Sequence, residues 1–492
     1  MPEGAAPGHL LRGIAPALDP AAPSVVEAID GWVEPIAVMR ALRGARRPAL
    51  LLSALAGHPA ARWSILAWDP VAEIILRPGA IAIHRGGDAA DAVRRVVDVD
   101  PFDLLRTLLP VSPDARAADL PFAGGAIGFL GYGLRTAIER LPRTAPDPLD
   151  QPDGWFGVYD GALVFDHHAR RLHAVAVGAM GAAADATAGR LAAAKAAVAA
   201  GRAAAAPDIE AAPRTVARAA TPRRVHQERI AKILDHIGRG DLYQANLSHR
   251  ITCTLREPPA ALFARLMARN PSPFAACLDT GDLQIVCASP ERFVTLRDGV
   301  ARSSPIKGTR PRGRTPREDE ALALDLMASA KDRAENVMIV DLVRNDLGRV
   351  AQAGSVRMEV LCGLESFATV HHLVSTVVAR LRPGRERIDL LRALFPGGSM
   401  TGAPKIRAME VIAGLEEEER GVYSGSIGYL SRDGKIDFNI VIRTIVCSGG
   451  RADLRVGGGI VADSDPAAEY AETIDKARAL LDALGADPPP RY

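Results

Sequence analysis

Residues 456–485 read VGGGIVADSDPAAEYAETIDKARALLDALG, and the kind of fold is decided by how this stretch breaks into elements. Asp465 is a natural N-cap, Pro466 suits the first helical turn, and Gly485 followed by Pro488 stops the helix between them. Gly457–Gly459 form a bulge or tight turn ahead of that helix, or else bring bare backbone N–H groups against an anion. The run does not match a dinucleotide fingerprint. Working back from it, strand-like runs alternate with helices, and glycines, acids and single basic residues sit at element ends, where chemistry is usually placed. Antiparallel strands mixed with segregated helices predict an α+β fold, two-lobed, with one long helix from Glu318 to about Asn345.

The chain changes character near residue 215. From Gly178 to Ala220 alanine dominates; Ala183–Ala200 makes a surface helix by propensity, and Pro207 and Pro213 punctuate the linker after it. We therefore divide the chain into an N-terminal lobe, residues 1–215, and a catalytic domain, residues 216–487. The first lobe carries short strands such as Ala162–Asp166 and Leu172–Val177, and Pro48–Pro70 reads as strand, turn and strand.

Charges nearly cancel, 60 Lys+Arg against 58 Asp+Glu, so no global field points to nucleic acid or an anionic membrane as a partner. Arg310, Arg312, Arg314 and Arg317 read as a solvated basic loop. Five cysteines at irregular spacing, with no CxxC, argue for a reducing compartment rather than a disulfide framework or structural zinc. With no signal pattern and no membrane-length apolar run, the expectation is a cytoplasmic protein without a membrane partner.

Two acidic pairs stand out, Asp332/Glu335 and Glu469/Glu472, each three apart and so on one helix face. Such pairs usually form a solvated face; were the two faces to meet, the acids would repel unless a cation lay between them. Oxygen donors without His or Cys favour Mg²⁺. Phe395–Lys405 (FPGGSMTGAPK) superficially resembles a phosphate loop, but Ala403 and Pro404 stand where Lys and Ser/Thr are required. Arg443, within an apolar run Phe438–Ile445, is either a solvent-facing strand residue or a clamp for a substrate carboxylate. Lys307, in Ser304–Gly313 (SPIKGTRPRG), is a solvated charge or, if desolvated, a nucleophile.

Together with DLYQANLS (241–248), SPERF (289–293) and ENVMIVDLVRNDLGRV (335–350), these segments resemble the chorismate-utilising enzymes, from about Gln227 to Leu484. Pro48–Pro70 resembles the family's N-terminal region more faintly. The resemblance implies that Glu335 and Glu472 bind Mg²⁺, supported by Asp332 and Glu469; Asp332 stands where the family more usually has glutamate. It implies that the metal holds the ring carboxylate of chorismate. The enolpyruvyl carboxylate would meet Arg443, Tyr423 and the backbone of Gly457, Gly458 and Gly459. Ser399 and His372 would line the ring, and Glu291 would protonate the departing 4-hydroxyl.

Family members differ in what attacks C2. Where the water-activating members have lysine this chain has Gln244, and where anthranilate synthases have a small residue it has Lys307, in PIKGT. The resemblance is therefore to the aminodeoxychorismate branch, in which lysine occupies C2 and ammonia enters at C4; anthranilate formation is the alternative. A non-catalytic binding module is the alternative of another class, which the retained acids and Lys307 oppose. No glutaminase signature is visible, so ammonia is expected from a separate glutamine amidotransferase subunit. With Tyr492 soon after the last motif, no fused lyase is expected.

Overall fold

The computed structural model describes residues 15–490 apart from 43, 56, 59, 86–92, 113–114, 116–118, 179–184, 205–210 and 368–369. The architecture is α+β: two large antiparallel sheets face one another and helices cover their outer faces. Between the sheets lies an apolar layer that includes Ile65, Phe129, Trp155, Ile285 and Val446. Helices Pro35–Ala41, Asp185–Ala203, Pro259–Arg269 and Pro466–Leu484 pack on the outside of the first sheet; Pro101–Leu108, Ala330–Gly348 and Arg387–Leu394 pack on the second. Burial of each large side chain in these layers contributes about 1.5–3 kcal/mol, and both faces of each sheet are used.

The change of composition near residue 215 does not separate the sheets. In the first, Ala49–Leu52 pairs with Phe274–Asp279, bringing Leu52 opposite Ala275. In the second, Gly125–Leu130 pairs with Ser426–Ser431. Strands from before and after the linker thus share every layer.

The helix Pro466–Leu484 is bounded as its sequence requires. Asp465 Oδ1 accepts from the N–H groups of Ala467 (3.0 Å) and Ala468 (2.8 Å), and Gly485 takes the left-handed conformation, φ 70°. Ala49–Leu52 and Trp63–Ala67 form the expected pair of strands. Strands Gly161–Asp166 and Arg171–Val177 also match the reading of that lobe. The alanine-rich helix runs Asp185–Ala203 and buries Leu191, Ala194, Ala197 and Val198; Ala183 and Pro207 lie outside the described residues.

Two expectations are corrected. The helix expected from Glu318 to Asn345 is two helices, Pro316–Ala328 and Ala330–Gly348. Ser329 between them is extended and its hydroxyl accepts from Asp332 N–H at 3.2 Å, an S-x-x-D capping signature that restarts the helix. Arg443 does not lie in a strand: strands Ile436–Asn439 and Thr444–Ser448 flank a link in which Arg443 has φ +49°. Among the described residues no helix is long and apolar enough to cross a membrane.

Candidate active site

Two links where the chain passes from one sheet to the other carry charged residues. Glu291 lies between Gln284–Ser289 of the first sheet and Arg292–Arg297 of the second; Arg443 lies on the return from Ile436–Asn439 to Thr444–Ser448. The links run side by side, with Ile440 N–H donating to the Glu291 carbonyl and Ala288 N–H to the Arg443 carbonyl, each at 3.0 Å. The site is built where the two sheets meet.

Strand Arg451–Ile460 forms its floor. The triple glycine is part of this strand, not a turn, and Gly457, Gly458 and Gly459 pair with Ser248, Leu247 and Asn246 of strand Gln244–Thr254. A methyl group on Gly459 would stand 2.1 Å from Gln244 Nε2 and 3.3 Å from Lys307 Nζ. One on Gly457 would stand 2.9 Å from the Tyr423 hydroxyl, and one on Gly458 3.1 Å from Glu469 Oε2. Glycine is needed here for close approach: the bare strand lets residues from four separate segments converge on it.

Lys307 is the second residue of strand Ile306–Pro311 in the second sheet. Burial pushes its amine below the ordinary lysine value, while Glu335 and Glu291 pull the other way. Gly308 brings helix Ala330–Gly348 close, since a methyl group there would lie 3.0 Å from Asp332 Cβ. That approach sets Glu335 against Lys307.

Glu291 is buried among Pro305, Ile339, Val343, Leu394 and Ile440. Burial lifts its carboxyl to about 7, although the Ser399 hydroxyl and the Lys307 charge both lower it. A carboxylic acid with that value is still substantially protonated at neutral pH and can donate.

Arg443 and His372 stand near one another, close enough for the arginine charge to act on the imidazole. Arg443 has no hydrogen bond or ion pair to its guanidinium among the described residues, and burial alone lowers its value. A half-buried, unpaired guanidinium is costly unless an anion joins it. His372 pairs across the sheet with Thr309, whose hydroxyl lies 2.9 Å from its Nδ1. Burial first and the Arg443 charge second lower His372 to about 4, and its Nε2 is without a partner. Tyr423 is buried, which raises its phenol to about 12. Gln244 Nε2 and Oε1 and Asn246 Oδ1 are also buried without protein partners. Four orphaned polar atoms around one cleft mark a place for a polar ligand.

The acidic residues meet as well. Glu335 and Glu469 are both raised, by burial first and then by neighbouring acids, Glu472 among them. Glu472 itself is exposed and is lowered, chiefly by the charge of Lys476, 2.8 Å away. Glu469 accepts from Ser464 Oγ at 2.6 Å, and Asp332 pairs with Arg310 at 3.1 Å. Among the described residues no three His, Cys, Asp or Glu side chains gather tightly enough to hold a metal by themselves. The donors are oxygen only, from two helices, and suit a hard cation that completes its shell with water and ligand oxygens.

The sequence reading passed over Lys476, which also donates to the Gly457 carbonyl at 3.0 Å, and the buried Glu416–Arg420 pair behind the site. The i,i+4 spacing of Glu472 and Lys476 was the signal available for the first. Glu416 and Arg420 have the same spacing, but they follow the helix Lys405–Leu415 rather than lying in it, and nothing local marks them as buried.

The profile of the chorismate binding enzyme family matches residues 51–482, well beyond the segment legible by eye. Aminodeoxychorismate synthase component 1 of Klebsiella aerogenes is 41% identical over 438 residues, 88% of this chain and 93% of that protein. Anthranilate synthase component 1 of Streptomyces coelicolor is 40% identical over 469 residues, 93% of this chain and 88% of the relative. Among solved structures, anthranilate synthase component I from Streptococcus pneumoniae superposes with a TM-score of 0.75 at 35% identity, covering 87% of this chain and 93% of that one. With the family profile spanning most of its length, the chain belongs to the chorismate binding enzyme family.

Proposed function

We propose that this protein is the chorismate-aminating component of an aminodeoxychorismate synthase, converting chorismate and ammonia to 4-amino-4-deoxychorismate. The observation that carries this reading is Lys307, a half-buried amine lowered toward its neutral form by desolvation and set at the glycine floor, under the charges of Glu335 and Glu291. The neutral amine adds to C2 of the ring, the double bonds shift, and the C4–O bond breaks. Glu291 gives its proton to the departing hydroxyl, which leaves as water. Ammonia then adds at C4, the bonds shift back, the C2–N bond breaks, and the Lys307 amine is released; the surplus proton returns to Glu291. Gln244, a neutral amide beside Lys307, supplies no base for water, which opposes attack by hydroxide at C2.

Arg443 and Tyr423 would take the enolpyruvyl carboxylate, and His372 and Ser399 the ring. Glu335 and Glu472, with Glu469 behind them, would hold Mg²⁺, which when bound would neutralise the ring carboxylate of the substrate. Asp332 would act on that site through its charge, since Arg310 occupies its carboxylate.

Ammonia would come from a separate glutamine amidotransferase, as the designation component 1 of the relatives suggests. The five cysteines of this chain are buried, and burial raises Cys253 to about 11 and Cys277 and Cys447 to about 12, which leaves no thiolate nucleophile among those three at neutral pH. Anthranilate synthesis is the second reading, favoured by the identity to the Streptomyces coelicolor enzyme.

The test is product identification. Chorismate with Mg²⁺ and no ammonia should leave a mass adduct on Lys307 that is missing in Lys307→Ala, and ammonia should then release 4-amino-4-deoxychorismate. Fluorescent anthranilate as the main product would overturn the reading.

A further inference from the structure

The Arg420 guanidinium is 1% exposed and all five of its N–H groups are used. Nε and Nη2 donate to Glu416 at 2.8 and 2.7 Å. Nη1 donates to the Met400 carbonyl at 2.8 Å and the Ser424 hydroxyl at 3.0 Å, and Nη2 also donates to the Asn246 carbonyl at 2.6 Å. The fork lies 4.6 Å from the Tyr132 ring centre and 5.9 Å from that of Tyr423. Its carboxylate partner is anchored in turn, with Glu416 Oε1 accepting from Ser248 N–H at 2.8 Å and Ser248 Oγ at 2.9 Å.

The bonds to Met400, Ser424 and Asn246 each reach a segment that carries a residue of the cleft. Met400 follows Ser399, whose own carbonyl accepts from Asn246 Nδ2 at 3.2 Å. Asn246 sits two residues from Gln244, and Ser424 follows Tyr423. The pairing of Ala245 with Gly402 ties the first two segments, but no strand pairing of theirs reaches the Tyr423 loop as well. A planar donor with five fixed directions can do so, and an ammonium on a flexible stem cannot.

We infer that Arg420, clamped by Glu416, is a positioning residue that locks the Ser399 peptide, the Gln244 strand and the Tyr423 loop into one geometry, so that the Ser399 hydroxyl stays on the Glu291 carboxyl. It touches neither substrate nor reacting atoms. The inference rests on the proposed role of Glu291 as proton donor. The Ser399 hydroxyl lowers the Glu291 value, so its release should raise it.

The experiment measures kcat/KM for chorismate at fixed free ammonia from about pH 5.5 to 9, where the basic limb reports the acid that must stay protonated. Wild type is compared with Arg420→Lys, Arg420→Met and the neutralised pair Glu416→Gln/Arg420→Met, each with a thermal melt. The double exchange leaves no unpaired Glu416 charge in the interior, which protects the fold. The expected result is a kcat/KM lower by about 10- to 100-fold with the basic limb moved to higher pH, in the double variant as in the singles. Arg420→Lys should not rescue either effect. Recovery of both by Arg420→Lys, or a basic limb that belongs to Glu291 yet stays in place in every variant, overturns the inference alone. A wild-type basic limb that survives in Glu291→Gln overturns the proton-donor reading, and this inference with it.

Discussion

Replacing Glu291 with glutamine should slow turnover severely and yet stabilise the folded protein, by an amount that depends on pH. The carboxyl is 5% exposed and its value rises from 4.5 to about 7 on folding, with burial as the main cause. A raised acid contributes no penalty below its unfolded value, where both states are protonated. As pH climbs through 4.5 the unfolded state ionises and gains solvation that the folded state is denied, until the folded group ionises near 7. At ~1.4 kcal/mol per unit, the wild type therefore carries a cost that grows to about 3 kcal/mol by pH 8. Glutamine resembles the protonated acid in shape and never ionises, so it escapes the cost. Urea titrations of wild type and Glu291→Gln, in parallel at steps from about pH 4.5 to 8.5, should superpose at the acid end and diverge steadily toward the basic end. The same variant should lose about 10²- to 10⁴-fold in kcat, as expected for removal of a general acid. Equal stabilities across the whole range would refute the argument that this carboxyl is desolvated, and retained turnover would remove it from the mechanism.

Glu335→Gln or Glu472→Gln should raise the Mg²⁺ concentration for half-maximal activity at least about tenfold, whereas an unaltered metal dependence would discard them as ligands. Arg443→Met should raise the melting temperature modestly, because a half-buried unpaired charge is removed, while KM for chorismate increases about 10- to 100-fold. Gly459→Ala, whose new methyl group would stand 2.1 Å from Gln244 Nε2 and 3.3 Å from Lys307 Nζ, should cut kcat by about 10- to 100-fold and leave the Mg²⁺ requirement unchanged. A Gly459→Ala enzyme with normal kcat would mean that Lys307 does not work against this strand. Lys307→Ala should bind chorismate but form no mass adduct, and an adduct on another residue would relocate the nucleophile.

Sequence alone determined the elements whose information is local. The cap Asp465, the first-turn Pro466 and the terminal Gly485 define a helix without help from the rest of the chain, and the i,i+3 spacing puts Glu469 and Glu472 on one face of it. The motifs carrying Lys307, Glu291 and Arg443 were legible for the same reason. The sequence did not reveal that Ser329 restarts a helix, because its capping signal lies inside an otherwise helical pattern.

Tertiary structure decided what those residues do. Gly459 meets Asn246 across a sheet although more than two hundred residues separate them, and register is set by burial of whole faces rather than by anything near the glycine. The triple glycine was read as a turn because glycine has positional meaning only once its neighbours are known. Arg443 became an unpaired, half-buried cation only when the link between two sheets closed around it. The Arg420 fork joins three segments that no local pattern connects. Residue type sets the available chemistry, but desolvation and distance decide whether it is used, and both arise from contacts between distant parts of the chain.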